Sequence, residues 1–377
     1  MMSKLRIGVI GMGNMGSDHA KKLNKGIVPE AELTAVSEMD GNRLEDAKTY
    51  LQGDIGYFAT PDELMDSGLC DAVIIATPHY DHPRLAIMAF TKGLHVLCEK
   101  PAGVYTKQVR EMNEKARESG RIFGMMFNQR TNPMYRKMHE LVHSGELGAI
   151  KRVNWIITDW YRSQAYYDSG SWRATWAGEG GGVLINQCPH NIDLLQWICG
   201  MPAQVRAFCH EGKWHNIEVE DDVTAYMEFP NGATGVFVTT TADLPGTNRL
   251  EITLEMGKLV CENNTLTLHK LGQNEREYCF TTKDGFATPP VEVFVIETQG
   301  DNSQHTGVIA SFAKAVLDGA PLIADGEEGI NSLMLSNAMH LSSWIGDTVA
   351  LPIDEDLFLE ELNKRIAASK HKVTAGI

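Results

Sequence analysis

The run from Arg6 to Gly16, "RIGVIGMGNMG", constrains the fold more than any other stretch of this chain. An apolar strand leads directly into Gly11, Gly13 and Gly16, spaced G-x-G-x-x-G, and the residues that follow read as a helix. That strand–turn–helix context is what makes the glycine spacing informative. Gly11 permits a tight turn, Gly13 lets backbone approach a pyrophosphate, and Gly16 lets helix and strand pack closely. Asn14 and Met15 fall in the first helical turn, where unpaired N–H groups and the helix dipole attract phosphate. Glu38 ends the next apolar run, about 20 residues on, where a carboxylate accepts ribose hydroxyls and repels a 2′-phosphate. Arg43, a little further along, is the residue that would serve a 2′-phosphate. NAD is the expected cofactor and NADP the alternative.

Up to residue 127, short apolar runs alternate with amphipathic segments: "RIGVI", "ELTAVS", "DAVIIA", "HVLC" and "IFGMMF". This βαβ alternation predicts a doubly wound parallel sheet, a Rossmann domain over residues 1–127. From residue 128 the texture changes. "RVNWIIT", "QVRAFCH", "VTAYMEF", "TGVFVTTT", "RLEITLE" and "TLTLHK" read as strands, with "PNGA" joining two of them as a hairpin. Residues 128–377 are therefore expected to form an α/β domain with a large, mostly antiparallel open sheet. An amphipathic helix over about 326–345 is expected to pack back near the first domain, and "KHKVTAGI" to be a loose tail. A net charge of −15 with no basic run argues against a nucleic-acid partner. No apolar stretch has the length of a membrane span, and the N-terminal apolar run is too short for a signal peptide. Seven cysteines without a C-x-x-C pair suggest a reduced, cytoplasmic setting.

Chemistry-bearing residues gather in four places. "HVLCEKPAG" puts Glu99, Lys100 and Pro101 at the carboxyl end of a strand, the edge where open α/β sheets bind ligands. "ATPHYDH" lies at the same edge one strand earlier, so Thr77, Pro78, His82 and Glu99 are expected around the nicotinamide end. In "GGGVLINQCPHNID", a helix beginning near Pro189 would set Asn186, His190 and Asp193 at i, i+4 and i+7, on one face. His190, with an unperturbed pKa of about 6.5, suits a general base at neutral pH, and Asp193 could hold hydroxyls or orient it. Cys188 with His190, or His79 with His82, supplies too few ligands for zinc, so no metal site is expected. Residues 161–180 carry Tyr161, Arg162, Tyr166, Tyr167, Trp172, Arg173 and Trp176. Aromatic faces with arginines suit a carbohydrate. The same residues would also suit a planar heteroaromatic, or could fill a domain interface.

The glycine turn, "ATPHYDH", "EKP" and "GGGVLINQCPHNID", together with "GELGAI" and "EDDVTAYMEFPNGATG", occur in the order of the glucose–fructose oxidoreductase/inositol dehydrogenase (Gfo/Idh/MocA) family, which the chain resembles over nearly its whole length. The resemblance implies that Lys100 and His190 flank a reacting hydroxyl. It also implies that the second domain's sheet mediates assembly, as a homodimer or homotetramer. The family usually has Asp where this chain has Asn186. With a carboxylate there, the histidine's ionisation should move to higher pH. The expected activity is an NAD-dependent dehydrogenase acting on a secondary hydroxyl of a sugar, glycoside or cyclitol. Lys100, Tyr161, Arg162, Trp172, Arg173, Asn186, His190 and Asp193 would meet the substrate. Two other readings remain: a redox-neutral glycosidase or lyase that recycles its NAD, and an NAD-binding regulator without catalysis.

Overall fold

The computed structural model describes residues 4–369; "KHKVTAGI" lies outside them. The chain divides into two compact units. The first takes in residues through Thr131 and returns for Ser303–Leu333, while the second holds Asn132–Asn302 and the residues from Met334 on.

The first unit is built on six strands: β1 (Leu5–Ile10), β2 (Ala31–Ser37), β3 (Gly56–Phe58), β4 (Ala72–Ile75), β5 (His95–Cys98) and β6 (Phe123–Met125). Their order is β3-β2-β1-β4-β5-β6, and every pairing is parallel. This is the doubly wound dinucleotide-fold order. Parallel strands covered on both faces need unbroken apolar runs, and Ala72–Ile75 is fully buried, as "AVII" requires. The strand order reverses between β1 and β4, so the loops after these two strands open at the switch point. The helix Thr106–Ser119 ends at Gly120, whose φ of 64° lets its N–H return to the Arg117 carbonyl. The helix Gln304–Asp318 contributes Val308, Ile309, Phe312 and Ala313 to the same core as Leu5, Ile7 and Val9.

The second unit carries nine strands. They are β7 (Ile150–Ile157), β8 (Gln204–Glu211), β9 (Glu220–Glu228), β10 (Thr234–Thr240), β11 (Asn248–Leu254), β12 (Gly257–Glu262), β13 (Thr265–Leu271), β14 (Val291–Ile296) and β15 (Val349–Ala350). The order is β14-β13-β12-β11-β7-β10-β9-β8-β15. All neighbours are antiparallel except β7 and β10, which makes the sheet mixed but largely antiparallel. The "PNGA" hairpin forms as expected, with Gly232 at φ 83° and its N–H on the Phe229 carbonyl. Alternation along β7 turns Val153, Trp155 and Ile157 inward and leaves Ile156 exposed. Trp155 is fully buried and donates to Asn248 Oδ1 at 3.1 Å. The helix Gly329–Ile345 begins in the first unit and ends in the second.

Candidate active site

The glycine turn has the shape its spacing predicts. Gly11 adopts φ 88°, and a Cβ there would stand 2.7 Å from the Ala76 carbonyl oxygen. A Cβ on Gly16 would stand 1.7 Å from the Gly11 oxygen, so helix and turn touch as backbone. At Gly13 a Cβ would meet nothing within 4 Å and would project into open space. The helix Asn14–Asn24 that follows has no side-chain N-cap and no acidic residue in its first turn, and Asn14 and Met15 are exposed. Its leading N–H groups thus suit an anion. Glu38 follows β2, and its two oxygens accept from Met12 N–H at 2.8 Å and Asp40 N–H at 3.0 Å. These contacts hold the carboxylate beside the turn. Arg43 is 59% exposed and lies 3.6 Å from Asp40. Turn, open helix end and fixed carboxylate fit a dinucleotide.

Lys100 follows β5, and its peptide bond to Pro101 is cis. Thr77 and Pro78 follow β4 at the same sheet edge. His82 sits behind these two loops instead of facing a ligand. It is 1% exposed, with Nδ1 2.7 Å from the Pro101 oxygen and Nε2 2.8 Å from the Thr77 oxygen. Its expected cofactor contact is therefore replaced by a clamp that joins the loop after β4 to the loop after β5. Burial lowers its pKa, against two carbonyl oxygens that favour its protonated form. Glu99 likewise turns inward. Its Oε1 meets His19 Nε2 at 2.7 Å, and Oε2 accepts the Lys100 N–H at 3.2 Å. Burial pushes its carboxyl up, but His19, Lys100 and His305 outweigh burial and bring the pKa to about 2.

In the second unit, the glycines before Asn186 exist because other backbone occupies their space. A Cβ on Gly182 would lie 2.0 Å from the Glu220 carbonyl oxygen. The Glu220 carboxylate, fully buried, accepts from Gly182 N–H at 2.9 Å and Leu184 N–H at 3.0 Å. His340 Nε2 stands 3.0 Å from its other oxygen. The turn is thus pinned to the start of β9 by one side chain.

The expected single helical face is not what forms. The helix Pro189–Cys199 does begin at Pro189, but Asn186 precedes it in a separate turn. That turn contains an i→i+5 bond, Cys188 N–H to the Val183 oxygen at 2.9 Å, and Pro189 cannot donate to continue the ladder. The extra residue in the turn and the lost donor break the 3.6-residue phase between Asn186 and His190. Asp193 is on the helix but only 1% exposed, and its Oδ1 accepts from Gln196 at 3.0 Å. It is a buried carboxylate. Of residues 181–196, Asn186 and His190 alone are not buried.

Around Asn186 a polar cluster forms. The Tyr166 phenol oxygen lies 2.8 Å from Arg173 Nη1 and 3.3 Å from both Asn186 Nδ2 and Gln187 Nε2. Asn186 Nδ2 also donates to Glu179 Oε1. Glu179, 1% exposed, accepts from Ala174 N–H at 2.6 Å and stands 4.0 Å from Arg173 Nη1. The Arg173 guanidinium lies 4.6 Å over the rings of both Tyr166 and Trp172. Arg162 lies 5.1 Å over Tyr166 from its own side. Tyr161 is 45% exposed, whereas Tyr167 and Trp176 are buried, the latter edge-on to His340 and Trp344. Sequence reasoning did not single out Glu179, Gln187, Glu220 or His19. The one signal for Glu179 was an acid set inside a glycine run, "GEGGG".

Two family models match the chain. One, an oxidoreductase family with an NAD-binding Rossmann fold, covers residues 5–127. The other, the GFO/IDH/MocA C-terminal domain, covers residues 135–260. Myo-inositol 2-dehydrogenase of Thermotoga maritima is 25% identical over 340 residues, 89% of this chain and 95% of the relative. The NAD(+)-dependent scyllo-inositol 2-dehydrogenase of Bacillus subtilis is 29% identical over 62% of this chain and 67% of its own length. Among solved structures, the WlbA dehydrogenase of Bordetella pertussis, in complex with NADH and UDP-GlcNAcA, superposes with a TM-score of 0.78 at 25% identity. That match covers 93% of this chain and all of the other. With its glycine turn, Glu38 and paired sheets accounted for, the chain belongs to the GFO/IDH/MocA oxidoreductases, and its first unit is their NAD-binding Rossmann fold.

Proposed function

We propose that this NAD-dependent oxidoreductase oxidises a secondary hydroxyl of a sugar, glycoside or cyclitol. The observation that carries the reading is that Asn186 and His190 alone stay partly accessible within an otherwise buried run. A ligand can reach an imidazole there, with amide, phenol and guanidinium donors clustered beside it. A ring bearing several hydroxyls needs that set of groups, and the faces of Tyr166 and Trp172 suit its C–H surface. Relatives named as inositol dehydrogenases support the same substrate class.

NAD, when bound, supplies the hydride acceptor. Gly11, Gly13 and the first turn of the helix Asn14–Asn24 would hold its phosphates, and Glu38 its ribose. The chain's own residues handle the proton and the oxygen. His190 takes the hydroxyl proton as general base. Lys100 supports the oxygen as negative charge develops on it, leaving a carbonyl in the product. Arg173, Tyr166 and Asn186 orient the neighbouring hydroxyls.

The protein would work in the cytoplasm; among its described residues no helix is long and apolar enough to cross a membrane. The open face of the second unit's sheet exposes Ile156, Phe208 and Tyr226, a patch suited to assembly as a homodimer or homotetramer. Light scattering on Phe208→Glu should report a smaller species. For the activity, NADH formation should be followed across a panel of sugars, glycosides and inositols. Appearance of NADH with a ketone product supports the reading. Substrate turnover with no NADH at all would replace it with the redox-neutral one.

A further inference from the structure

We propose that His215 is a positioning residue for the substrate half of the site. It latches the segment 161–168, which carries Arg162 and Tyr166, onto the turn between β8 and β9. Beyond β7 this segment runs outside the sheet, so its backbone groups must find partners other than a strand ladder. Arg162 N–H donates to the Thr241 carbonyl at 2.8 Å. The Arg162 carbonyl faces His215 Nε2 at 2.9 Å, and the Tyr167 hydroxyl lies 2.7 Å from Thr241 Oγ1. Asn216 N–H donates to the Gln164 side-chain oxygen at 2.9 Å. Two neighbours in one turn, His215 and Asn216, thus reach across to one segment.

The latch is anchored behind His215. Its Nδ1 lies 2.9 Å from Asp221 Oδ2, and the two side chains are 8% and 0% exposed. The same carboxylate accepts the N–H groups of Lys213 at 3.0 Å and of Trp214 and His215 at 2.9 Å. A carboxylate and a carbonyl only accept, so the two ring contacts together call for hydrogen on both nitrogens. His215 therefore passes the position of a buried acid on β9 to the backbone of Arg162. The Arg162 guanidinium lies 5.1 Å over the Tyr166 ring, and the Tyr166 oxygen meets Arg173 Nη1 at 2.8 Å. Resting on the hydroxyl-oxidising reading, the consequence is that His215 sets how firmly these groups hold the hydroxyls beside the reacting one. Its loss should weaken substrate binding and spare the chemical step.

Two substitutions separate the two ends of the ring. Asparagine carries its amide nitrogen near the position of Nδ1, and glutamine near that of Nε2. His215→Asn keeps the contact with Asp221 and loses the one with Arg162, while His215→Gln does the reverse. Hydrogen exchange needs no substrate. Protection over residues 161–168 should fall roughly tenfold in His215→Asn and stay within about threefold of wild type in His215→Gln. Kinetics would use the sugar or inositol that gives the fastest NADH formation. KM should rise roughly tenfold in His215→Asn with kcat and NAD affinity near wild type, and His215→Gln should recover most of the loss. That pattern supports the latch. Unchanged protection over 161–168 in His215→Asn, with changes confined to residues 212–217, overturns it. So does a fall in kcat while KM stays constant. Faster exchange over 161–168 in a protein that oxidises no sugar keeps the latch and removes the substrate reading.

Discussion

The NAD-binding unit of this protein and its second unit put the same two materials, glycine and glutamate, to different uses. In the first unit Gly11 and Gly16 lie against backbone, but Gly13 faces open space, where a Cβ would meet nothing within 4 Å. Glu38 stands at the surface of that space, steadied by two backbone N–H groups. In the second unit the glycines clear space for the protein itself. Gly182 lies against the Glu220 backbone, and the glutamates Glu220 and Glu179 are buried behind the turn they hold. The contrast separates two kinds of recognition. Binding a common cofactor rests on backbone shape, which few side-chain changes alter. The proposed substrate side rests instead on side-chain groups, those of Tyr166, Arg173 and Asn186.

If the division is real, substitutions should divide the same way. Gly182→Ala should have the largest effect. Its Cβ would collide with the Glu220 backbone at 2.0 Å, so turnover should fall by roughly 10²-fold or more as the turn shifts. NAD affinity measured by titration should stay near wild type; a parallel loss of NAD binding would erase the distinction. Lys100→Ala should lower kcat by about 10²-fold while NAD still binds, since the role proposed for the lysine is on the reacting oxygen. Unchanged kcat would remove Lys100 from the chemistry. Glu38→Ser acts on the other half. The wild type should prefer NAD over NADP by about tenfold or more, and the substitution should narrow that gap with little change in kcat. Equal affinities of the wild type for both nucleotides would sink the role given to Glu38.

The smallest effect on turnover is expected at Glu99, and it concerns pH. Its folded pKa of about 2 lies below its ordinary value of 4.5. The ionised Glu99 carboxylate therefore contributes stability that is fully present above about pH 4.5 and lost as pH falls toward 2. Glu99→Gln should flatten the acid limb of the unfolding profile in that window, and an unaltered limb would mean the carboxylate contributes nothing there.

Much of the first unit was legible because its information is local. β1, β2, β4 and β5 are contiguous apolar runs, and the glycine turn is contiguous with the strand it follows. β3 went unseen because Gly56–Phe58 is three residues long and only half-buried, too short to show a period. The candidate site of the second unit was legible as residues but not as partnerships. Asn186 and His190 could be picked out by type, yet the i→i+5 turn before Pro189 obeys no helical period. Tyr167 and Trp176 have the same composition signal as Tyr166 and Trp172, but they are core. Glu220 lies well beyond the turn it holds in the chain, and only the pairing of β9 with its neighbours brings it there.

The anchoring of the Gly182 turn by Glu220 also bears on how such a protein diversifies. The turn that precedes the helix of His190 is held by a carboxylate at the head of β9, Glu220, through the Gly182 and Leu184 N–H groups. The loop 161–178, which carries Tyr166, Trp172 and Arg173, is not part of that attachment. On the proposed reading, insertions and exchanges in the loop could reshape what is bound without disturbing the turn that Glu220 holds. If the proposed roles hold, evolution, or an engineer grafting loops, has a replaceable selector whose exchange leaves the anchored turn untouched.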